Sequence, residues 1–268
     1  MSEEKARFSI EQYNIFGYLL PGMMFLCFFI LHSKTLINFT LNLFSYNMEK
    51  NFWVFASIFY LIIAYIMGHI LASISSLIIE NIFVRGLLGY PTEHLIPYEQ
   101  FNKHKSKMLQ ATRLGKRQLL SSQKKSTHYI KKIARIVPKL IMHDYFQPYD
   151  SNFSNHLLTK FHSIFRFSPN QKELYWLAFS KVAQHHPQGY RRSMNFVGLY
   201  GFARNSIVAL IYAAFNPPQH YFFQSGMIPS GWKPTLIVLS IVMFLNYLHL
   251  LKRHNSEVYI SFAAISDE

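Results

Sequence analysis

The chain has 268 residues, half of them apolar and 17% aromatic, with 27 Lys+Arg against 13 Asp+Glu and one cysteine. The lone Cys27 excludes an intramolecular disulfide and a thiolate-built zinc site, and with them the small secreted scaffolds. A mean hydropathy of only +0.09 excludes a wholly embedded bundle. The apolar residues are nevertheless pooled into four long stretches, unlike the short periodic runs of a soluble core.

The opening MSEEKARFSIEQYN is too long and too acidic for a signal-peptide leader, and no small-x-small cleavage pattern follows. The first apolar run is therefore expected to be kept as a start-transfer helix. That run is Ile15 to Leu31; the second is Phe52 to about Ile79, the third about Phe196 to Phe215 and the fourth Thr235 to Leu251. Seventeen to twenty residues at helical rise reach about 26 to 30 Å, the thickness of bilayer hydrocarbon. In the first run, GYLLPG holds Gly17, Pro21 and Gly22; Pro21 frees a backbone carbonyl, and small residues let helices approach closely. Gly68 plays the same packing part in the second run. That run is longer than a bilayer needs and continues as a helix toward Arg85, until Gly89-Tyr90-Pro91 stops it. Arg204 and Asn205 interrupt the third run, whose competing reading is a buried amphipathic helix of a soluble domain.

Orientation follows from Lys and Arg. Two precede the first span (Lys5, Arg7), two lie between the first and second (Lys34, Lys50), one between the third and fourth (Lys233) and two just after the fourth (Lys252, Arg253). The segment from Asn81 to Asn195 holds nineteen of the 27. The positive-inside bias puts this segment, and for four spans both termini, in the cytoplasm. The predicted fold class is an all-α integral membrane protein with four transmembrane helices and a helical cytoplasmic subdomain inserted between the second and third. Its expected division is 1–80 for the N-terminal tail and first two spans, 81–195 for the basic insert, and 196–268 for the last two spans and a cytoplasmic C-terminal tail. The expected location is the cell inner (plasma) membrane.

Between Glu99 and Asp144 there are twelve Lys or Arg and no acid. Such a run repels itself unless an anionic partner is close. Attraction to the anionic inner leaflet accounts for it, at about 1 kcal/mol per basic residue near the surface. In HYIKKIARIVPKLIM, Ile130, Ile133, Val137 and Leu140 recur at helical spacing while Lys131, Lys132, Arg135 and Lys139 fill the other side, as in a helix lying among headgroups. Lys124 and Lys125 extend this basic patch. An anionic cytoplasmic ligand or protein is the other partner class. Nucleic acid is disfavoured, since neither GxxxxGK[ST] nor GxGxxG occurs. Further on, HLLTKFHSIFRF and KELYWLAFSKVAQ read as helices, the second opening at a Ser168-Pro169-Asn170 cap signal.

Polar groups at membrane depth carry the functional signal. His69, Ser73, Ser76 and Glu80 are spaced by four, three and four residues and form one helical stripe, read as an interior face. The third span adds Arg204 and Asn205, the fourth Asn246 and His249, all in the cytoplasmic halves of their helices. Glu80 is the acid expected to meet Arg204, with His69 and Asn246 as further partners. Interhelical glue, a proton or ion path, a headgroup pocket around Arg204 and catalysis all fit such a cluster. No enzyme motif accompanies it: the histidines show no HxxxH, HxxHH or HExxH, and there is no GxSxG elbow or paired-carboxylate motif in a span. No cofactor is implied. The expected function is that of a non-enzymatic, oligomeric sensor or channel-like effector whose basic insert binds an anionic partner. The alternatives are a small carrier or lipid-handling enzyme using the inner-leaflet cluster, and a passive assembly anchor.

Overall fold

The structure, a computed structural model, describes residues 14–45, 50–96, 143–165, 171–218 and 230–265. Every regular element among them is helical. A π-helical turn, Ile15–Leu19, leads into α1 (Leu20–His32), and a break at Ser33 leads into α2 (Lys34–Ser45). The long α3 (Lys50–Ser75) runs on as a π-helix over Ser76–Leu88. Then come α4 (Pro91–Leu95), α5 (His143–Phe146), α6 (Ser151–Phe165), α7 (Gln171–His185), α8 (Pro187–Phe215) and α9 (Trp232–Ala263). Among the described residues, four helical stretches are long and apolar enough to cross a membrane: Ile15–His32, Val54–Leu95, Pro187–Phe215 and Trp232–Ala263. Large side chains such as Phe55, Phe59, Ile62, Ile66 and Leu77 stand exposed along the second of these, a surface that suits hydrocarbon and not water.

The chain forms two compact units, Met1–Glu80 with Met194–Leu250, and Asn81–Ser193 with Leu251–Glu268. In the first, α1 and α3 meet backbone to backbone. A β-carbon at Gly22 would fall on the carbonyl oxygen of Ala64, and one at Gly68 on that of Tyr18. Tyr18 and Gly22 are four apart, as are Ala64 and Gly68, so two turns of each helix share the contact. Among the described side chains of α3 the buried ones are Ala56, Ala64, Gly68, Leu71, Ala72 and Ser75, continued by Ile79 in the π-helix, a stripe of mostly small residues at three- and four-residue spacing. On the other flank of α1, Leu210, Ala213, Ala214 and Leu236 pack with Met24, Phe28 and Trp232. Trp232 Nε1 donates to Ala213 O at 3.0 Å, joining α9 to α8.

The second unit has its own core. Leu95 and Ile96, Leu157, Leu158 and Phe161 of α6, Leu174, Ala178 and Val182 of α7, and Val258, Tyr259 and Phe262 of α9 are all buried together. The stretches read as helices from the sequence are α6 and α7. Residues 252–263, which follow the fourth apolar run, continue α9, and its end is a member of this core. Its C-terminal carbonyls are covered by Lys160, whose Nζ donates to Ala263 O at 2.9 Å and also to Ile265 O. A buried cation at a helix C-terminus both fills orphan acceptors and opposes the negative end of the dipole. Tyr149 ties α9 to the 147–150 turn by donating to Ser256 O at 3.2 Å. Burial, with the Glu257 carboxylate adding to it, pushes the Tyr149 phenol up to about 12. Gly89 closes the π-helix at φ +84°, where its N–H returns to Val84 O at 2.7 Å. Tyr145 Oη then donates to Gly89 O at 2.9 Å.

Gly68→Ala should lower the thermal midpoint of the detergent-solubilised protein, because overpacking of about 1–3 kcal/mol exceeds the roughly 1 kcal/mol gained in helix propensity. Gly86→Ala, whose β-carbon would meet only Asn81 O at 3.6 Å, should leave the midpoint unchanged or raise it. Equal effects at the two glycines would contradict the backbone contact.

Candidate functional site in the helix bundle

Pro21 has no N–H, so the carbonyl of Gly17, four residues earlier, has no α-helical donor, and the chain winds here as a π-turn in which Leu20 N–H reaches Ile15 O. Asn205 on α8 supplies a donor: its Nδ2 donates to Gly17 O at 2.6 Å. This contact orients the amide, since only the NH₂ end can serve a carbonyl. Asn205 Oδ1 therefore faces α3, where Ser75 Oγ donates to it. Ser75 Oγ is also 3.1 Å from Ala72 O, and its single proton serves one acceptor at a time. Asn205 and Ser75 are essentially inaccessible, at 1% and 0% exposure.

Arg204 stands beside Asn205 but reaches further along α3. Its Nη1 donates to Glu80 Oε2 at 2.8 Å, and its Nε lies 3.4 Å from Asn205 Oδ1. Ser76 Oγ donates to the same carboxylate oxygen at 3.2 Å. The guanidinium is 12% exposed and the carboxylate 25%. One connected network thus joins the π-turn before α1, the α3 junction and the middle of α8 by way of Gly17 O, Asn205, Ser75, Arg204, Glu80 and Ser76. A paired, hydrogen-bonded charge is the form in which Arg can sit at membrane depth.

Of the eight residues named from the sequence, Ser76, Glu80, Arg204 and Asn205 come together here. His69 does not join them. It is exposed, stacked on Tyr18 with ring centroids 4.0 Å apart and edge-on to Tyr65 at 4.6 Å. Ser73 is exposed and donates to its own helix at His69 O, 3.1 Å away. The stripe at 69, 73, 76 and 80 is therefore not the interior face of α3. The interior face lies one residue off, at 64, 68, 71, 72, 75 and 79, and the change from α to π winding at Ser76 brings Ser76 and Glu80 back toward α8. Asn246 and His249 are also exposed. Tyr247, Leu248 and Leu251 define the inward side of α9, which turns positions 246 and 249 to the opposite side.

Sequence reasoning missed Ser75 and the Gly17 carbonyl. Continuing the Ala64–Gly68 spacing to Ser75, and asking which donor serves the carbonyl freed by Pro21, would have found both. The basic patch of Lys124, Lys125, Lys131, Lys132, Arg135 and Lys139 lies outside the described residues. Among the described residues, no group of three or more His, Cys, Asp or Glu is placed to hold a metal ion. The chain matches no protein-family model, and neither curated proteins nor solved structures give a match.

Arg204→Ala should destabilise the protein by on the order of 3 kcal/mol, because Glu80 is left charged without its partner. The double variant Glu80→Ala/Arg204→Ala should lose less than the two single losses added together, read as thermal midpoints in one detergent. Asn205→Ala should cost about 1–3 kcal/mol through the orphaned Gly17 carbonyl. That loss should shrink in a Pro21→Ala background, where residue 21 again carries an N–H. An undiminished loss would separate Asn205 from the proline.

Proposed function

We propose that this multi-pass protein is a sensor or effector of the inner (plasma) membrane and not an enzyme. Both termini and the 81–195 segment lie in the cytoplasm. The basic patch from Lys124 to Lys139 binds an anionic partner, by default the inner-leaflet lipid itself. The observation that carries this reading is the segregation of charge: twelve Lys or Arg without one acid between Glu99 and Asp144, against an Arg204–Glu80 pair in the bundle that is internally neutralised. The first is an unbalanced surface field that seeks an anion. The second is balanced and positions helices.

Binding is coupled to the bundle through the chain itself. The two units exchange chain at Glu80/Asn81, Ser193/Met194 and Leu250/Leu251, each within a helix. Glu80 is the last residue of the first unit, so the Arg204–Glu80 pair stands at one of these points and is the joint whose making or breaking changes the bundle. Four helices leave little room for a conduction path, so a channel-like effector works as a homo-oligomer around an axis. The competing carrier or lipid-handling reading needs Arg204 to take an anionic substrate. Glu80 at 2.8 Å and the nearby Asn205 already occupy its guanidinium, which favours the sensor or effector. A passive anchor would use the basic patch alone.

In proteoliposomes with 81–195 facing out, protease cleavage within 101–142 should be slower with phosphatidylglycerol than with phosphatidylcholine alone. High salt should erase the difference, as should changing Lys124, Lys125, Lys131, Lys132, Arg135 and Lys139 together to Gln. Equal cleavage in the two lipids would overturn the leaflet as partner. If Arg204→Ala alters neither ion leak nor viability on overexpression, the effector reading fails and the anchor remains.

A further inference from the structure

A groove of about 460 Å³ opens among α1, α2 and α3, within the first unit and apart from the Arg204 network. Ala56, 7% exposed, is its floor; Phe39, Phe55 and Phe59 are its rims, at 59%, 72% and 62% exposed. The remaining lining is aliphatic or aromatic apart from Thr40 and Tyr60. Those two hydroxyls lie 3.1 Å apart and bond each other. The groove thus has the size of a ligand site but offers its occupant no charge and no polar group beyond that mutual pair.

The medium decides what fills it. α1 and α3 belong to stretches long and apolar enough to cross a membrane, so the groove meets lipid tails before it meets any aqueous solute. A polar ligand would have to give up its hydration for a lining that returns nothing. A second copy of the chain would need a broad complementary surface, whereas a groove of this volume, with Ala56 buried between exposed phenyl rings, suits a threadlike group. We infer that this groove seats one acyl chain of a membrane lipid and holds it more tightly than the flat lipid-facing surfaces of the same bundle do. The inference rests on the membrane-spanning reading, and goes beyond it in making α2 the third wall of a lipid site.

The test uses the full-length protein in nanodiscs of phosphatidylcholine carrying a diazirine on one acyl chain. After illumination, adducts on the groove residues should exceed several-fold those on the exposed strip Val238, Ile241 and Val242 of α9. Ala56→Trp, which fills the floor, should lower groove adducts about tenfold and leave the α9 adducts as they were. Phe59→Ala removes only an exposed rim and should lower them about three- to tenfold, which keeps the test open should Ala56→Trp misfold. Groove adducts no more abundant than those on α9, or insensitive to both substitutions, would overturn the acyl-chain site while leaving the membrane reading intact. Absence of adducts on α9 as well would overturn both. A cross-link between copies through Phe55 would overturn it in favour of a second chain.

Discussion

A carbonyl deprived of its N–H is the constraint around which the first unit is arranged. Pro21 removes the donor, and an unanswered carbonyl in hydrocarbon costs several kcal/mol. Asn205 is the answer, and its placement fixes much else. With Nδ2 committed to Gly17 O, its Oδ1 looks toward α3, where Ser75 Oγ donates to it. Arg204, the residue before it, projects about 100° away around α8. From there its long side chain passes Asn205 and ends on Glu80. Proline, amide and ion pair form one chain of consequence, in which each partner limits where the next can stand.

How far this arrangement could be read from the sequence depends on the kind of physics involved. Apolar run length is a one-dimensional property, and the four stretches it marks correspond to four helices of sufficient length and apolarity. Gly22 and Gly68 were legible for a similar reason, since a small residue in a span has few uses besides close approach. The face of α3 was less so. Polar residues at helical spacing suggested an inward stripe, yet His69 spends its ring on Tyr18 and Tyr65, and Ser73 bonds back to its own helix. In lipid a side chain with a local partner need not face inward. The small residues therefore report the interior more faithfully than the polar ones. No local pattern announced that winding changes at Ser76, the stretch that carries Ser76 and Glu80 to Arg204.

The second unit applies the same logic. Its polar side chains mostly serve backbone carbonyls: Lys160 those of Ala263 and Ile265, Lys252 those of Asp144 and Gln147, and Tyr145 that of Gly89. His254, buried at 5% exposure, donates from Nδ1 to Ser193 O at 2.9 Å and accepts at Nε2 from Tyr175 Oη at 2.7 Å. The Ser193 carbonyl can only accept, so Nδ1 carries a proton, which in the neutral ring fixes the tautomer. Each is long range in sequence, up to about a hundred residues apart, and composition says nothing about such pairings. The end of α9 was invisible as a core member because Lys252, Arg253 and Glu257 give it the look of a solvated tail. Val258, Tyr259 and Phe262, each without exposed surface, decide the matter.

The ion pair invites a comparison with what apolar residues would do in its place. A buried Arg–Glu pair recovers little more than its own desolvation cost, so two well-packed aliphatic residues would hold α3 to α8 at least as firmly. What the pair adds is selectivity of register: a one-residue slip of α8 would carry Arg204 from Glu80 and Asn205 from Gly17 O together, leaving a charge and a carbonyl unmet. Its position sharpens the point. Glu80 lies in the π-wound stretch, just beyond Ser73, which bonds back to the helix backbone at His69, and Ser75, whose proton is shared between Ala72 O and Asn205 Oδ1. Winding of this kind occurs mostly at functional sites, and back-bonding hydroxyls loosen and bend the helix ahead of it. An interaction that adds little net stability, placed where the winding of the helix changes, thus contributes chiefly by fixing which register α8 takes.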